Sequence, residues 1–148
     1  MIPEAYYTLI NTSKDNDPAV VVVNSALRLF KEREVFPWHL KVSIDCKFIG
    51  ANGMPTADEV KALEILEDEI SDVLQTGGNA IFLARTTWRG TRDLLYRVRE
   101  PDAANAALQK LITEGSQLRE WEYLMEKDAE WKLAQPELQL LERDPRFS

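Results

Sequence analysis

Arg85, Arg89, Arg92, Arg97 and Arg99 crowd five guanidinium groups into a short stretch of a chain that is otherwise acidic. A guanidinium offers a planar fork of donors that holds a carboxylate or phosphate through two parallel hydrogen bonds. Arg85 and Arg92, on either side of the turn at Arg89-Gly90, with Arg97 further along, are therefore candidates for a site that takes a small anion or an acidic partner. The competing reading has them neutralise Asp93, Glu120 and Glu122 on neighbouring strands. The opposite chemistry gathers in Glu64, Asp68, Glu69 and Asp72, which with Glu67 occupy the polar side of a helix where Lys61 is the only nearby cation. These carboxylates form a candidate interaction face for a basic protein. As metal ligands they lack the glycine-bearing loop that arranges oxygen donors around a cation, so a solvated face is the better reading.

Catalytic candidates are few. His39 is the sole histidine, with Ser43 and Asp45 near it in sequence. Strand alternation puts all three on one outward face, too spread for a triad, whose members must lie within hydrogen-bond reach. His39 thus reads as a surface residue beside Trp38. Cys46, the sole cysteine, falls on the apolar side of the same strand, where a thiol is buried and inert. Thiolate ligands for zinc are lacking. The sequence assigns no catalytic, metal or cofactor-binding residue and reads as non-enzymatic.

The best-marked element behind these residues runs from Gly50 to Gln75. Asn52-Gly53 and Pro55 make the chain turn before it winds. Thr56 can accept a hydrogen bond from the backbone three residues on while Glu59 reaches back to the Thr56 N–H, the two halves of a capping box. Val60, Leu63, Leu66, Ile70, Val73 and Leu74 recur at helical steps, and Gly77-Gly78 ends the helix. In Trp38–Phe48 every second residue is apolar, which predicts a half-buried strand. Asn79–Thr86 is nearly all apolar, as in a central strand covered on both faces, and Arg89-Gly90 joins it to a strand over Arg92–Arg99. Pro101 opens a second helix that Gly115 stops, and Leu118–Met125 alternates as a last strand.

Ahead of these elements, Ala5–Asn11 and Ala19–Val23 predict a hairpin around a polar loop from Ser13 to Pro18. Ser25–Glu34 reads as a continuation of the second strand that loosens before Pro37. Behind them, residues 127–148 form a tail, expected as a short helix or turn that packs Trp131 and then a loose end. The order strand, helix, strand, strand, helix, strand over residues 38–126 predicts an α+β protein with a ferredoxin-like βαββαβ core. Its antiparallel sheet carries two helices on one face, and residues 1–36 precede it as the hairpin extension, all within one domain.

With 148 residues the chain has the length of one domain. A net charge of −7 and a pI near 4.8 argue against nucleic acid, which needs a cationic footprint. So do the outward sheet positions, which hold Lys, Asp, Arg and Glu in place of the aromatics that stack on RNA bases. A single cysteine suits a reducing compartment. Apolar runs such as Ala19–Val23 are too short to span a bilayer, and no secretory leader opens the chain, so the expectation is a cytoplasmic protein without membrane contact.

Three groups of residues, taken in this order, resemble a bacterial family known only as domain of unknown function 695. They are Asn52-Gly53-Met54-Pro55-Thr56 before the acidic helix; Ala84-Arg85-Thr86-Thr87 with Gly90-Thr91-Arg92-Asp93 and Tyr96; and Asp128 followed by Trp131 and Pro136. The resemblance covers Pro18 to Pro136. The sequence departs from the family at Ala84, where glycine is favoured, and at Leu133-Ala134, where an aromatic is usual. By context the resemblance implies kinship in fold with a ribonuclease E regulator, a ferredoxin-like protein inhibitor with which such domains are sometimes fused, and it implies protein binding. It brings no catalytic residues.

The sequence therefore predicts a non-enzymatic interaction module of regulatory or inhibitory kind, such as an immunity protein or nuclease inhibitor, whose acidic surface meets a basic partner protein. The alternative is a small anionic-ligand-binding domain or hydrolase built on Arg85 and Arg92. An exposed sheet edge or face also allows a homodimer.

Overall fold

The computed structural model describes residues 2–147. The first hairpin forms where two residues accept left-handed backbone: Asp15 and Asn16 have φ of 50 and 68°, as a two-residue hairpin turn requires. The turn is so tight that strands β1 (Tyr7–Lys14) and β2 (Asp17–Asn24) take up most of the stretch expected to be a loop. The expected continuation of β2 through Ser25–Glu34 is replaced by two 3-10 turns, Ser25–Leu27 and Arg33–Val35. Asn24 is the reason. Its Oδ1 accepts from the Tyr6 and Ala26 N–H groups at 3.2 Å each, and its Nδ2 donates to the Phe82 carbonyl at 3.0 Å. Those side-chain bonds compete with the ladder and turn the chain out of the sheet.

Strand β3 spans Trp38–Asp45, so its alternation stops short of Phe48. Helix α1 (Ala57–Gln75) begins where the sequence places it, with Thr56 Oγ1 accepting from the Glu59 N–H at 3.3 Å. Strands β4 (Ala80–Trp88) and β5 (Thr91–Val98) meet at Arg89-Gly90, where φ is 46 and 75°. Helix α2 (Pro101–Glu114) follows. Strand β6 begins only at Trp121 and ends at Lys127, later than expected.

All six strands form one sheet, in the order β1-β2-β4-β5-β3-β6, and every neighbouring pair is antiparallel. The architecture is α+β. As a whole the order differs from that of a four-stranded ferredoxin-like sheet, because β2 pairs along β4, with Val22 opposite Arg85. The hairpin is an integral part of the sheet and leaves β1 at its edge.

Alternation gives this sheet two apolar faces, and each finds a cover. On one, Leu40, Val42, Ile44, Leu94, Tyr96 and Val98 pack with Leu63, Leu66, Ile70 and Leu74 of α1 and Ala104 and Leu108 of α2. On the other, Val21, Val23, Ile81, Leu83 and Leu95 pack with Leu27, Phe36, Trp131, Ala134, Leu138 and Leu141. The expected loose end is therefore corrected over most of its length. After Trp131 the chain is helical through α3 (Gln135–Leu140), and Leu138 and Leu141 anchor it by burying apolar area.

Trp131 is fully buried, and its indole N–H points to the carbonyls of Arg33 at 2.9 Å and Phe36 at 3.0 Å. Replacing it by alanine removes the largest side chain of the second core. Trp131→Ala should cost about 3–5 kcal/mol in urea unfolding, whereas a loss under about 1 kcal/mol would mean that the C-terminal segment contributes little to that core.

Candidate functional site

The pairing register divides the arginines. Arg85 lies opposite Leu94 and Arg92 opposite Thr87, so both point to the face covered by α1. Arg97 lies opposite Ile81 and His39, on the face covered by the C-terminal segment. The expected common site of Arg85, Arg92 and Arg97 is thus split by the thickness of the sheet. Their partners also differ from the expected Asp93, Glu120 and Glu122. Arg85 Nη1 is 2.9 Å from Glu67 Oε2 on α1. Arg92 is buried, donates from Nε to Thr87 Oγ1 at 3.1 Å, and has its pKa lowered, first by burial and then by the neighbouring Arg85.

Arg97 is 0% exposed and sits in a closed polar knot. Its guanidinium donates to the Phe36 carbonyl at 3.2 and 3.3 Å, to Asp128 Oδ2 at 2.9 Å, to the Asp128 carbonyl at 2.5 Å and to His39 Nδ1 at 3.2 Å. The Trp131 ring lies beneath it, 4.6 Å from centroid to guanidinium carbon. Asp128 in turn accepts from the N–H groups of Lys132 and Leu133 at 3.0 and 2.8 Å, fixing the first turn of the C-terminal helical segment. His39, expected at the surface, is buried because this segment folds across it. Burial and the adjacent Arg97 push its pKa down to about 4, so the imidazole is a neutral acceptor. Ser43 and Asp45 line a separate open depression at the other end of β3, with Cys46, and the three members of the supposed triad do not meet. Burial raises the Cys46 pKa, the reverse of what a reactive thiol needs.

A groove of about 420 Å³ brings the acidic helix and Arg85 together. Its floor is the sheet at Tyr7, Val22, Phe82 and Arg85, and its wall is α1 at Glu67, Asp68 and Asp72. Tyr7 meets Phe82 edge-on with ring centroids 5.8 Å apart, and Phe82 meets Tyr96 in the same way at 5.7 Å. Two of the four expected acidic face residues, Asp68 and Asp72, belong to the groove. Glu64 is exposed on the same helix. Glu69 is turned toward the end of α2, where Oε2 accepts from the Ser116 N–H at 3.2 Å.

Glu59, Arg119 and Glu137 take places that no local pattern in the sequence marks. Glu59, expected to close a capping box, instead points inward and is 0% exposed. It accepts from Arg119 at 2.5 and 2.8 Å and from the Lys47 N–H at 2.6 Å, while the Thr56 N–H bonds the Phe48 carbonyl. The strong donation from Arg119 leads the lowering of its pKa. Arg119 lies sixty positions away, so no local pattern announces the pair. Glu137 of α3, pushed up to about 7 by burial against the sheet, carries no periodic signal either. Among the described residues no group of three or more His, Cys, Asp or Glu side chains is placed to hold a metal ion, and no helix is long and apolar enough to cross a membrane.

One family model, that of a family of unknown function designated DUF695, matches residues 7–135. No curated protein matches the chain.

The two arginine pairs differ in burial, and mutation should separate them. Arg97→Met leaves Asp128, 8% exposed at its side chain, without its cation and should cost about 3–5 kcal/mol. Arg85→Met breaks a pair that keeps more contact with solvent, 27% and 15% exposed at its side chains, and should cost about 1–2 kcal/mol; equal losses would contradict the assignment of Arg97 as the structural arginine. His39 adds a pH dependence. Its folded pKa of about 4 lies below the ordinary 6.5, so between these values the unfolded chain binds the proton and the native state does not. Its contribution is present above about pH 6.5 and is lost as pH falls toward 4, by about 3 kcal/mol. Glu137 titrates in the opposite sense, so the informative quantity is the difference between unfolding curves of wild type and His39→Phe, which should narrow with falling pH. A constant difference would show that His39 is not held neutral.

Proposed function

We propose, for a chain that belongs to this family of unknown function, that it is a non-enzymatic protein-interaction module of regulatory or inhibitory kind, and that its groove meets a basic partner protein. The observation that carries this reading is a juxtaposition. Tyr7, 59% exposed, lines the groove with Asp68 and Asp72, and Leu9, 57% exposed, continues the same face of β1 toward the sheet edge, opposite Val22. An exposed aromatic and aliphatic patch rimmed by charge is the composition of a protein interface. The charge of −7 supports the sign of the partner, since it steers a basic surface toward the acidic rim at low salt.

The alternative, a small-anion site or hydrolase at Arg85 and Arg92, finds less support. Arg85 is already neutralised by Glu67, Arg92 lies beneath α1, and the groove wall is itself negative. The same reading takes the strands β6-β3-β5-β4, with two crossing helices on one face, as a ferredoxin-like unit to which the hairpin is added. The antiparallel pairing of β3 with both β5 and β6 supports that view.

The test compares wild type with Asp68→Lys/Asp72→Lys as immobilised baits for cell extract at about 0.05 and 0.3 M salt. The expected result is one basic protein that wild type retains and the variant does not, and whose purified form binds about tenfold or more weakly at the higher salt. Identical retention by both baits, or affinity indifferent to salt, would overturn the assignment.

A further inference from the structure

Each face of a wide sheet has room for a set number of helices. Six strands about 4.8 Å apart make a sheet nearly 29 Å wide, which takes about three helices at 10 Å spacing. This chain supplies two on the face in question. Helix α2 lies over β6, where the Tyr123 hydroxyl bonds Asn105 and Gln109. Helix α1 lies over β4 and β5, where Ser71 Oγ is 2.6 Å from the Tyr96 hydroxyl and Glu67 holds Arg85. No helix of the described chain lies over β1 and β2 on that side. The other side of the same hairpin is closed, with Val21 and Val23 buried.

We infer that this third position is the docking site for an amphipathic α-helix of a partner protein, with an apolar stripe on the hairpin and a row of basic side chains against α1. The inference rests on the interaction reading above and deepens it by naming the occupant. The floor supplies the apolar half. Tyr7 and Leu9 of β1 and Val20 and Val22 of β2 point to the same face, with Leu9 opposite Val22. Tyr7 is already braced against Phe82, so the floor needs little ordering on binding.

The wall supplies the polar half. Glu64, Asp68 and Asp72 are exposed and spaced by four residues along α1, which sets three carboxylates in a row about 6 Å apart. A helix laid alongside α1 presents its own residues at the same interval, so Lys or Arg at i, i+4 and i+8 meet the three in register. Other occupants fit less well. An extended strand added at β1 would satisfy the edge backbone yet leave the groove open and place no cation near α1. A second copy of this chain would bring another charge of −7 to an acidic wall.

The experiment uses a synthetic helix of about 18 residues, with leucine at i, i+3, i+4, i+7 spacing and lysine at i, i+4 and i+8 on one flank. One control has the same composition with two central prolines, and another alternates leucine and lysine as a strand. Binding to the full chain is read by fluorescence anisotropy. The helical peptide should bind wild type at least tenfold more tightly than either control. Leu9→Glu, at an exposed position, and Asp68→Lys/Asp72→Lys should each weaken it at least tenfold with unchanged circular dichroism. Glu122→Lys/Glu126→Lys, on the far strand, should leave it unchanged.

A strand peptide that binds as well as the helix, a far-strand variant that weakens binding equally, or the absence of binding by the helix overturns the third-helix position. None of these outcomes touches the interaction reading, which stands or falls on capture of a basic protein by wild type and its loss with Asp68→Lys/Asp72→Lys.

Discussion

A guanidinium removed from water must have its donors taken up inside the protein, and Arg97 imposes that constraint on this fold. The sheet provides only one of its partners, His39. The others, Phe36 and Asp128, come from the segments before β3 and after β6. Neither segment can leave without stranding a buried charge, so the knot ties both ends of the βα core to one face of the sheet. Trp131 completes the arrangement by placing its ring under the cation and its N–H on the Phe36 carbonyl. A lysine would not substitute, since one ammonium cannot reach carbonyl, carboxylate and imidazole in a single plane.

On that face the chain's own segments cover β2, β4 and β5 and leave Lys41, Glu122, Leu124 and Glu126 exposed along β3 and β6; the groove is on the other face. There α1 and α2 cover four of the six strands, and the hairpin that widens the sheet outruns the helices. The Glu59–Arg119 pair holds α1 over the middle of the sheet, since it ties the first turn of the helix to the segment entering β6. A helix so fixed cannot roll outward to cover Tyr7 and Leu9. The groove thus follows from two buried ion pairs and one surplus hairpin.

Much of this was legible where the signal is local. The capped, periodic stretch from Thr56 to Gln75, the alternation from Trp38 to Ile44 and the Arg89-Gly90 turn all formed as their residues dictate. Signals that failed were non-local or were masked by side chains. Asn24 diverts the strand expected through Ser25, and Gln117, with φ of 54°, delays β6 so that Arg119 can turn to Glu59. The split of the arginines was half legible. Arg92 and Arg97 are five residues apart on one strand, and an odd interval puts them on opposite faces. The face of Arg85 needed the register of β4 on β5, which shifts at the irregularity between Phe82 and Ala84. His39 could not be placed without knowing that Asp128 and Trp131 return across its strand.

Charge density in a sequence is not charge density on a surface. The stretch from Arg85 to Arg99 is the most cationic in the chain, yet Arg92 and Arg97 are buried and Arg85 is joined to a carboxylate. The cations that a count sets against the acids are in part spent inside, and Glu64, Asp68 and Asp72 of α1 face solvent. For that reason the residues that looked most like an anion site end up shaping an acidic one. Arg85 holds Glu67 against the sheet, and Glu67 in that position leaves Asp68 and Asp72 to form the rim. The field over the groove is set by these two and Glu64 above the apolar side chains of Tyr7, Val22 and Phe82, and both features support the proposed reading of a ligand that is basic along one flank and apolar along the next.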